Sequence, residues 1–412
     1  MEFFRLRTRE EILALYPRFH PVGVEAVDLS DARGRVLAEA VAAPEAAPAF
    51  ARATMDGYAV RAVDTFGATP GMPQYLALVG EVPMGAAPER PVHPGEALRL
   101  ATGGMLPPGA DAVVMLEYTA EHPDRSLEVR RAVAPGENLL QPGEDVEAGA
   151  VLFSGGRRLR SQDVGLLAAL GVAAPKVHRR PRVAVLSSGD ELVPLTAGPG
   201  PGQVRDSNAW MVAAQVAEAA CLPLPVGGLL PDDFAAIRGA LARALTEADL
   251  ILISGGSSVG TRDLTLKAIQ DLPGAEILAH GVAIRPGKPT ILADVGGKPL
   301  LGLPGHPASA AVVMEVLGKP LLARLAGLSE PPPPWAGTVT ATLSRNLAGA
   351  GGREDFVRVK LRREGDTLFA DPVLGPSGLL SPMVKSDGLV MIPLGTEGLN
   401  RDETVTVRLF AG

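Results

Sequence analysis

Residues 181–328 alternate short apolar runs with amphipathic segments, and this alternation limits the possible folds more than any other feature of the 412-residue chain. Runs rich in Val, Ile and Leu predict strands at 183–186, 250–253 and 290–293, with weaker runs at 277–278 and 300–301. The amphipathic segments predict helices at 208–221, 233–247, 264–272 and 309–325. Strands and helices in alternation form a parallel sheet with helices on both faces. We therefore predict a central α/β domain over residues 177–328.

The chain before this domain predicts two further domains. Short β-rich runs separated by Gly and Pro predict an inserted β-rich domain at 43–146. Residues 1–40 are predicted to be helical, beginning at the capping signal Thr8-Arg9-Glu10-Glu11, and another helix is predicted from Ser161 to Leu170. We assign residues 1–42 with 147–176 to an elongated N-terminal domain of helical and mixed character.

The chain after residue 328 predicts a fourth domain. Four consecutive prolines at 331–334 predict a stiff linker. Alternating patterns at 338–343 and 404–409 predict strands, so residues 335–412 are assigned to a C-terminal β-barrel-like domain. The predicted fold class is a multidomain α/β protein with a central parallel α/β domain.

The composition excludes several classes of function. A net charge of −7 and 4% aromatic residues leave no basic stripe or stacking platform for a nucleic acid. The single cysteine, Cys221, excludes an internal disulfide and a cysteine metal cluster. No stretch approaches the roughly 20 apolar residues of a membrane-spanning helix, and the N terminus lacks the pattern of a secretory signal. We expect a cytoplasmic protein with no nucleic-acid and no membrane partner.

Loops of small residues follow three of the predicted strands, at 187–192, 254–260 and 302–309. Ligands of open α/β sheets bind beyond the carboxyl ends of the strands, so a site is expected in these loops. Gly and Ser let backbone N–H groups and hydroxyls converge on an anion, although any one loop is equally an ordinary strand-to-helix turn. The candidate residues are Gly189, Ser254, Gly255, Gly256, Pro304, His306 and Pro307. His306 is a candidate acid, base or helix cap.

Several carboxylates lie in loops or at predicted helix starts, namely Asp56, Asp145, Glu191, Asp206, Asp232 and Asp263. Mg²⁺ prefers a few carboxylate oxygens together with phosphate oxygens and water, so acids beside phosphate-binding loops fit a metal-assisted site. Helix capping is the competing explanation, and it is strong for Asp206 and Asp232. Capping explains Glu191, Asp263 and Asp145 least well.

Basic side chains are sparse around these loops except at Arg285-Pro286-Gly287-Lys288-Pro289. A turn between two prolines holds an Arg and a Lys close together, as a clamp for phosphate or another oxyanion would require. A solvent-exposed turn that carries charge for solubility explains the segment equally well. Arg353 and Arg358, on a predicted strand of the C-terminal domain, are weaker candidates to reach a site.

Together these segments resemble the MoeA family, the molybdopterin molybdotransferases, which includes the E domain of gephyrin. The resemblance spans nearly the whole chain and depends on several motifs occurring in the same order and spacing. The motifs are Thr54-Met55-Asp56-Gly57-Tyr58, Thr102-Gly103-Gly104-Met105, Pro142-Gly143-Glu144-Asp145, Ser188-Gly189-Asp190-Glu191, Asp206-Ser207-Asn208, Ser254-Gly255-Gly256, Arg285-Pro286-Gly287-Lys288-Pro289 and Leu303-Pro304-Gly305-His306-Pro307.

The resemblance implies the final step of molybdenum cofactor assembly, in which molybdate is inserted into adenylylated molybdopterin and AMP is released with the help of a divalent cation, usually Mg²⁺. It implies a homodimer whose site lies between the α/β domain of one subunit and the β-rich domain of the other. A MogA-type adenylyltransferase and other cofactor-assembly proteins are the implied partners. The motif positions that are functional in the family are Asp56, Thr102, Asp145, Glu191, Asp232, Asp263, Arg285, Lys288, Pro304, Pro307, Arg358 and Ser377. Thr102 and Ser377 enter through the resemblance alone.

On this basis Glu191, Asp263 and Asp232 are the expected Mg²⁺ ligands, and Asp56 and Asp145 are expected near the molybdate. His306 departs from the family, which usually has Asn there, and Arg285 replaces a Lys. Two other functions stay open: an adenylyltransferase, whose single-domain relatives lack the β-rich domains, and a non-enzymatic scaffold of the gephyrin type. The sequence also leaves open whether the anion is molybdate or tungstate.

Overall fold

The computed structural model describes residues 6–225, 228–255, 259–329 and 337–410, and of residues 259–263 only the backbone. The chain divides into two compact units. One contains Met1–Glu39, Gly155–Leu159 and Lys176–Gly412, and the other contains Ala40–Ser154 and Arg160–Pro175. We call them the large unit and the small unit. Within the described ranges, no helix is long and apolar enough to cross a membrane.

The described helices are short in the N-terminal part of the chain and longer in the α/β region. They are α1 Arg9–Leu13, α2 Ser161–Ala169, α3 Asn208–Glu218, α4 Phe234–Glu247, α5 Val259–Gln270, α6 Pro307–Val313, α7 Lys319–Leu325 and α8 Ser381–Val384. A π-helical turn, Met314–Gly318, joins α6 to α7. The single helix predicted at 309–325 is therefore continuous but changes its hydrogen-bonding pattern at its centre.

The prediction of a helical segment over residues 1–40 is wrong. Thr8 caps α1, and Thr8 and Glu11 form the reciprocal capping box that the sequence indicated. The helix then ends at Leu13, because Pro17 and Pro21 cannot supply the N–H groups that a continuing helix needs. Two 3₁₀ turns, Tyr16–Arg18 and Leu29–Asp31, and a short strand follow instead.

The first twelve strands belong mostly to the small unit. They are β1 Val24–Ala26, β2 Val41–Ala42, β3 Arg52–Ala53, β4 Gly57–Val60, β5 Gln74–Val82, β6 Glu96–Leu100, β7 Ala112–Met115, β8 Thr119–Glu121, β9 Ser126–Val129, β10 Leu139–Leu140, β11 Val151–Phe153 and β12 Lys176–His178. Six of them form one sheet in the order β7-β4-β6-β5-β9-β8, and β3 pairs with β10 beside it. Strand β4 is buried along its whole length, as expected for a central strand.

The next ten strands form the α/β region of the large unit. They are β13 Arg182–Ser188, β14 Leu192–Val193, β15 Val204–Arg205, β16 Leu222–Pro223, β17 Leu229–Leu230, β18 Leu250–Gly255, β19 Ala275–His280, β20 Ile284–Arg285, β21 Ile291–Val295 and β22 Lys298–Pro304. The main sheet has the order β16-β13-β18-β22-β21-β19, with β17 also paired to β13. Strands β16, β17, β13, β18 and β22 are parallel, as predicted.

Strand β21 runs antiparallel to both of its neighbours, β19 and β22, unlike the all-parallel sheet that the sequence predicted. A two-residue turn, Gly296-Gly297, joins β21 directly to β22, and both glycines have positive φ values. Such a turn closes a hairpin and leaves no room for the helix that a parallel connection requires. The period of the apolar pattern therefore identified strands here but not their direction.

Alternate residues of the central strands pack against different helices. Val183, Val185, Leu250 and Leu252 lie in one core cluster with residues of α3, α6 and α7, together with Ile12 from α1. Ala184, Ile251 and Ile253 point to the opposite face and pack with Ile237 and Leu241 of α4 and Ile269 of α5. Helices therefore cover both faces of the sheet, as the sequence predicted.

The C-terminal strands close into a barrel. They are β23 Thr338–Leu343, β24 Leu347–Ala348, β25 Glu354–Glu364, β26 Thr367–Pro372, β27 Gly388–Ile392, β28 Gly398–Leu399 and β29 Thr404–Leu409. The order is β25-β26-β23-β29-β27, and β27 pairs back to β25 to complete five strands. Strand β20 of the α/β region adds to β25 in parallel, with Arg285 opposite Asp355.

Candidate active site

The three small-residue loops follow neighbouring strands of the α/β sheet. At their carboxyl ends Ser188 of β13 lies opposite Gly255 of β18, and Gly255 lies opposite Pro304 of β22. A side chain at Gly255 would place its Cβ 2.0 Å from Ser188 Oγ, so the close approach of the two strands requires Gly there. Ser254 Oγ is 3.2 Å from Ser187 Oγ, and both residues are buried. The loops therefore begin side by side at one edge of the sheet.

Carboxylates lie beside this edge. The Glu191 carboxylate folds back over Gly189, where a Cβ would lie 2.6 Å from Glu191 Oε2. Asp190 accepts a hydrogen bond of 3.1 Å from the Asp232 N–H. Burial raises the pKa of Asp232, and the nearby charges of Asp190 and Glu191 raise it further. The three carboxylates are therefore close enough to repel one another.

Helix capping, the strong competing explanation for Asp232, is wrong. Asp233 is the N-cap of α4, and its side chain accepts a hydrogen bond of 2.8 Å from the Ala236 N–H. The buried Asp232 Oδ1 has no hydrogen-bond partner. Asp206 does behave as a cap, because its Oδ1 accepts a hydrogen bond of 3.1 Å from Ala209 N–H at the start of α3.

The carboxylates of Asp190, Glu191 and Asp232 at this edge of the sheet suit a hard cation such as Mg²⁺. Carboxylate oxygens are the donors that Mg²⁺ prefers, and a cation would satisfy the unpartnered Asp232 oxygen and offset the repulsion among the acids. Among the side chains that the structure describes, no group of three His, Cys, Asp or Glu residues converges on one metal position. The side chain of Asp263 and all of Gly256, two of the sequence candidates, lie outside that description.

A basic cleft of about 260 Å³ opens between the α/β region and the barrel of the large unit. Its polar lining consists of Arg285, Lys288 and Arg353, with His306, Ser309 and Ser377. Arg285 and Lys288 flank the turn that starts with the cis Arg285–Pro286 peptide. Gly287 lies between them at φ +129°, and a Cβ there would lie 2.7 Å from Val313 Cγ2. The turn therefore presents both cations to one cleft, the arrangement that an oxyanion clamp requires.

A pair of hydrogen bonds joins the two sides of this cleft. His306 Nδ1 is 2.9 Å from Ser377 Oγ, and the Ala308 N–H donates to the Ser377 carbonyl over 3.1 Å. His306 is the residue before α6, but its side chain does not cap that helix. Asn208, which is 7% exposed, holds the same loop by donating to the Gly305 carbonyl over 2.8 Å.

Two sequence candidates of the barrel and of α6, Arg358 and Pro307, do not line the cleft. Arg358 donates a hydrogen bond of 2.7 Å to the Gly375 carbonyl, and its buried Nη1 has no partner. Burial lowers the pKa of Arg358. Pro307 is the first residue of α6 and starts the helix without lining the cleft. Pro307 directly follows the cleft-lining His306. Arg358 is hydrogen-bonded to Gly375, two residues before the cleft-lining Ser377.

In the small unit, Asp56 and Thr102 are in direct contact. Asp56 Oδ1 accepts hydrogen bonds of 2.7 Å from the Thr102 N–H and 2.8 Å from its hydroxyl. These bonds lower the pKa of Asp56, so the carboxylate stays ionised. Asp145 is exposed, and its N–H donates to the Ala47 carbonyl over 3.1 Å. Asp56 follows β3 and Asp145 follows its paired strand β10.

The sequence candidates omitted several residues that the structure brings to the site. They are Ser188, Asp190, Ser309 and Asp355. Asp190 had a signal, because it stands next to Glu191 in the loop after β13. The sequence signal for Asp355 was weak, since it is only a charged residue directly before the apolar Phe356-Val357. Its position beside Arg285 depends on the pairing of β20 with β25.

The fold and the site define a class of protein: a multidomain α/β protein with a basic cleft and with carboxylates at the neighbouring sheet edge. Three family models match in succession along the chain. The MoeA N-terminal region (domains I and II) matches residues 7–171, a probable molybdopterin-binding domain matches 184–324, and the MoeA C-terminal region (domain IV) matches 340–410.

Curated relatives match over nearly the whole chain. The molybdopterin molybdenumtransferase of Bacillus subtilis is 35% identical over 393 residues, which are 94% of this chain and 90% of the relative. That of Haemophilus influenzae is 34% identical over 408 residues, 98% of each. A crystal structure of the molybdopterin biosynthesis MoeA protein from Pyrococcus horikoshii OT3 has a TM-score of 0.84 at 32% identity and covers 98% of this chain and 100% of its own. The chain belongs to the MoeA family.

Proposed function

We propose that the chain is a molybdopterin molybdenumtransferase, which inserts molybdate into adenylylated molybdopterin and releases AMP. The observation that carries the proposal is the match, over 98% of both chains, to a relative of that name. The basic cleft supports it, because Arg285, Lys288 and Arg353 converge where an oxyanion would bind. Single-domain adenylyltransferases lack the two β-rich domains that this chain has, so that alternative is not favoured.

The cleft residues bind and orient the anionic groups. Arg and Lys supply charge-assisted hydrogen bonds to phosphate or molybdate oxygens, which are stronger than neutral ones. Ser377 and His306 border the same cleft and add a hydroxyl and an imidazole for hydrogen bonding. Gly189, Ser254, Gly255 and Pro304 shape the backbone at the sheet edge, where a phosphate can approach closely.

A divalent cation, Mg²⁺, is proposed as the cofactor, with Glu191, Asp232 and Asp263 as its protein ligands. Such an ion would neutralise phosphate charge and act as a Lewis acid at the bond that releases AMP. The unpartnered buried oxygen of Asp232 supports this assignment. Without a cation, the neighbouring acids would repel the phosphates that Arg285 and Lys288 attract.

Asp56, Asp145 and Thr102 are proposed to act near the molybdate, where carboxylates accept or return protons as oxo groups leave. We also propose a cytoplasmic homodimer, in which the β-rich domain of one subunit completes the site of the other. Arg358 is proposed to hold Gly375, two residues before Ser377, and Pro307 to hold the loop that carries His306.

The proposed function is tested by reconstitution with purified components. The chain is incubated with adenylylated molybdopterin, molybdate and Mg²⁺, and both AMP release and activation of an apo-molybdoenzyme are measured. We expect both products from the wild type, loss of both in Glu191→Ala and Lys288→Ala, and full activity in the surface control Asp366→Asn. Formation of adenylylated molybdopterin from ATP would instead indicate an adenylyltransferase. Restoration of a deletion strain by Glu191→Ala would indicate a scaffold.

A further inference from the structure

A buried carboxylate, Asp355, stands behind the basic cleft and has no role in the proposed function so far. Its side chain is 2% exposed. Oδ2 accepts a hydrogen bond of 2.7 Å from the Ala350 N–H. Oδ1 lies 2.9 Å from Arg285 Nε and 3.8 Å from Arg353 Nε, and neither contact has hydrogen-bond geometry. A buried charge is expensive unless it is paired, so Asp355 depends on these two arginines.

The contacts leave the outer edges of both arginines available to a ligand. Asp355 approaches each guanidinium group from the Nε side. Among the residues that the structure describes, no hydrogen-bond partner is found for the terminal nitrogens of Arg285 or Arg353, and both side chains line the cleft. The two terminal nitrogens of a guanidinium group match two oxygens of a tetrahedral oxyanion. Asp355 therefore holds both arginines on the Nε side, and their terminal nitrogens remain available to a ligand in the cleft.

The charges around the cleft suit a dianion. Arg285, Lys288 and Arg353 contribute three positive charges, and the cleft lining contains no carboxylate. The single buried charge of Asp355 leaves a surplus of two positive charges when His306 is neutral. Molybdate and the phosphate of a monoester both carry close to two negative charges near neutral pH. The shared chemistry is a tetrahedral dianion.

We propose that Asp355 is a positioning residue that aims Arg285 and Arg353 into the cleft. This inference rests on the proposed function, which places an oxyanion in the cleft beside these arginines, and adds Asp355 to its machinery. Asp355 touches no ligand and acts through the two guanidinium groups. Arg353, which comes from β-barrel residues directly before β25, reaches the cleft within the same subunit.

The substitution Asp355→Asn separates a positioning role of Asp355 from a purely electrostatic one, because the two roles predict opposite changes in the affinity for an anion. The Asn side chain keeps an oxygen for the Ala350 N–H but loses the charge and turns an NH₂ group toward the arginines. If Asp355 were only a background negative charge, its removal would strengthen anion binding. If Asp355 positions the arginines, binding weakens although a negative charge has been removed. We expect the dissociation constant to rise about tenfold.

A second series changes Arg353, whose side chain is 33% exposed, in place of the buried Asp355. Arg353→Gln removes the charge and Arg353→Lys keeps it without the planar fork. We expect both to weaken binding, the Lys variant less, because Lys acts as a point charge. The matched controls are Arg362→Gln and Asp371→Asn, an ion pair of 2.9 Å between β25 and β26 that lies outside the cleft. The combined Asp355→Asn, Arg353→Gln chain measures the coupling between the residues.

The measurement is isothermal titration of the full-length chain and each variant with sodium molybdate and, separately, with inorganic phosphate, together with thermal unfolding. The inference is supported if Asp355→Asn and Arg353→Gln weaken binding, their effects are less than additive, and the controls bind like the wild type. It is overturned if Asp355→Asn binds as tightly as the wild type or more tightly, or if Arg353→Gln has no effect. A wild type that binds neither probe would overturn the proposed site itself, which separates the two failures. Should Asp355→Asn fail to fold, Asp355→Glu decides, because it keeps the charge and displaces the carboxylate by one methylene: weaker binding than the wild type supports the inference, and unchanged binding overturns it.

Discussion

The substitution Gly255→Ala should damage both stability and activity, because two strand ends meet at this residue. The added methyl carbon would lie 2.0 Å from Ser188 Oγ and 2.9 Å from the Ser188 carbonyl oxygen. The hydroxyl can rotate away, but the carbonyl belongs to the backbone of β13. Strands β13 and β18 must therefore separate locally. Overpacking of this kind costs about 1–3 kcal/mol of unfolding free energy.

The displacement also reaches the site. Gly255 lies opposite Ser188, which precedes Gly189 and Glu191, and opposite Pro304, which precedes His306. A small misplacement of binding groups lowers kcat/KM strongly, so we expect a loss of about tenfold or more. Chemical denaturation gives the change in stability, and the AMP-release assay gives the change in activity.

Two further variants show whether the effect of Gly255→Ala comes from the close contact with Ser188. Gly239→Ala in α4 is the matched control, since its methyl carbon meets nothing closer than Arg243 Nη1 at 3.6 Å. It should raise the unfolding free energy by about 1 kcal/mol through helix propensity and leave activity unchanged. Adding Ser188→Ala to Gly255→Ala removes the 2.0 Å contact but not the 2.9 Å one, so stability should return only in part. A Gly255→Ala chain with wild-type stability and activity would refute the reasoning.

Three other predictions concern single contacts. Asp233→Ala removes the cap of α4 and should lower the unfolding free energy by about 1 kcal/mol with AMP release unchanged, whereas equal stability would contradict the capping assignment. Burial raises the pKa of Asp249, but hydrogen bonds from Arg179 and the Arg182 N–H outweigh it and hold the pKa below its usual value. That stabilisation is present above about pH 4 and disappears as the pH falls through the folded-state pKa, so Asp249→Asn should cost about 2 kcal/mol at pH 7 and progressively less as the pH is lowered below about 4 in denaturant titrations. Ser377→Ala breaks the contact with His306 and should raise KM for molybdate severalfold with kcat less affected; an unchanged KM would exclude Ser377 from binding.

Much of the α/β region could be predicted because its strands are buried on both faces. The runs at 183–186 and 250–253 lie inside β13 and β18, and the helix at 233–247 matches α4 within one residue. Burial on both faces leaves an uninterrupted apolar run that is visible in the sequence. The antiparallel direction of β21 was missed, because direction depends on the turn at Gly296-Gly297 and not on the period.

The N-terminal residues illustrate the opposite case. A local signal, the capping box at Thr8 and Glu11, was recognised, yet the helix it starts has only five residues. The segment after it is held by distant contacts, such as the hydrogen bond of 2.9 Å from Tyr16 Oη to the Leu317 carbonyl. Contacts across some 300 positions leave no local pattern.

The cleft was predictable only in part for the same reason. Arg285 and Lys288 stand out locally because two prolines hold their turn. Ser377 and Arg353 reach the cleft through the barrel, and Asp355 meets Arg285 through the β20–β25 pairing. Thr102 likewise binds Asp56 across 46 positions. These residues gain their place from tertiary structure, and a family resemblance was needed to name Thr102 and Ser377 in advance.

The central claim is that the basic cleft holds the oxyanion of a molybdenumtransferase, and the position of molybdenum tests it most directly. Crystals of the full chain grown with molybdate and adenylylated molybdopterin are measured at the molybdenum absorption edge, and an anomalous difference map locates the metal. The account predicts a peak in the cleft within hydrogen-bonding reach of Arg285 and Lys288 through the molybdate oxygens. A well-occupied peak elsewhere on the subunit, with this cleft empty, would contradict it.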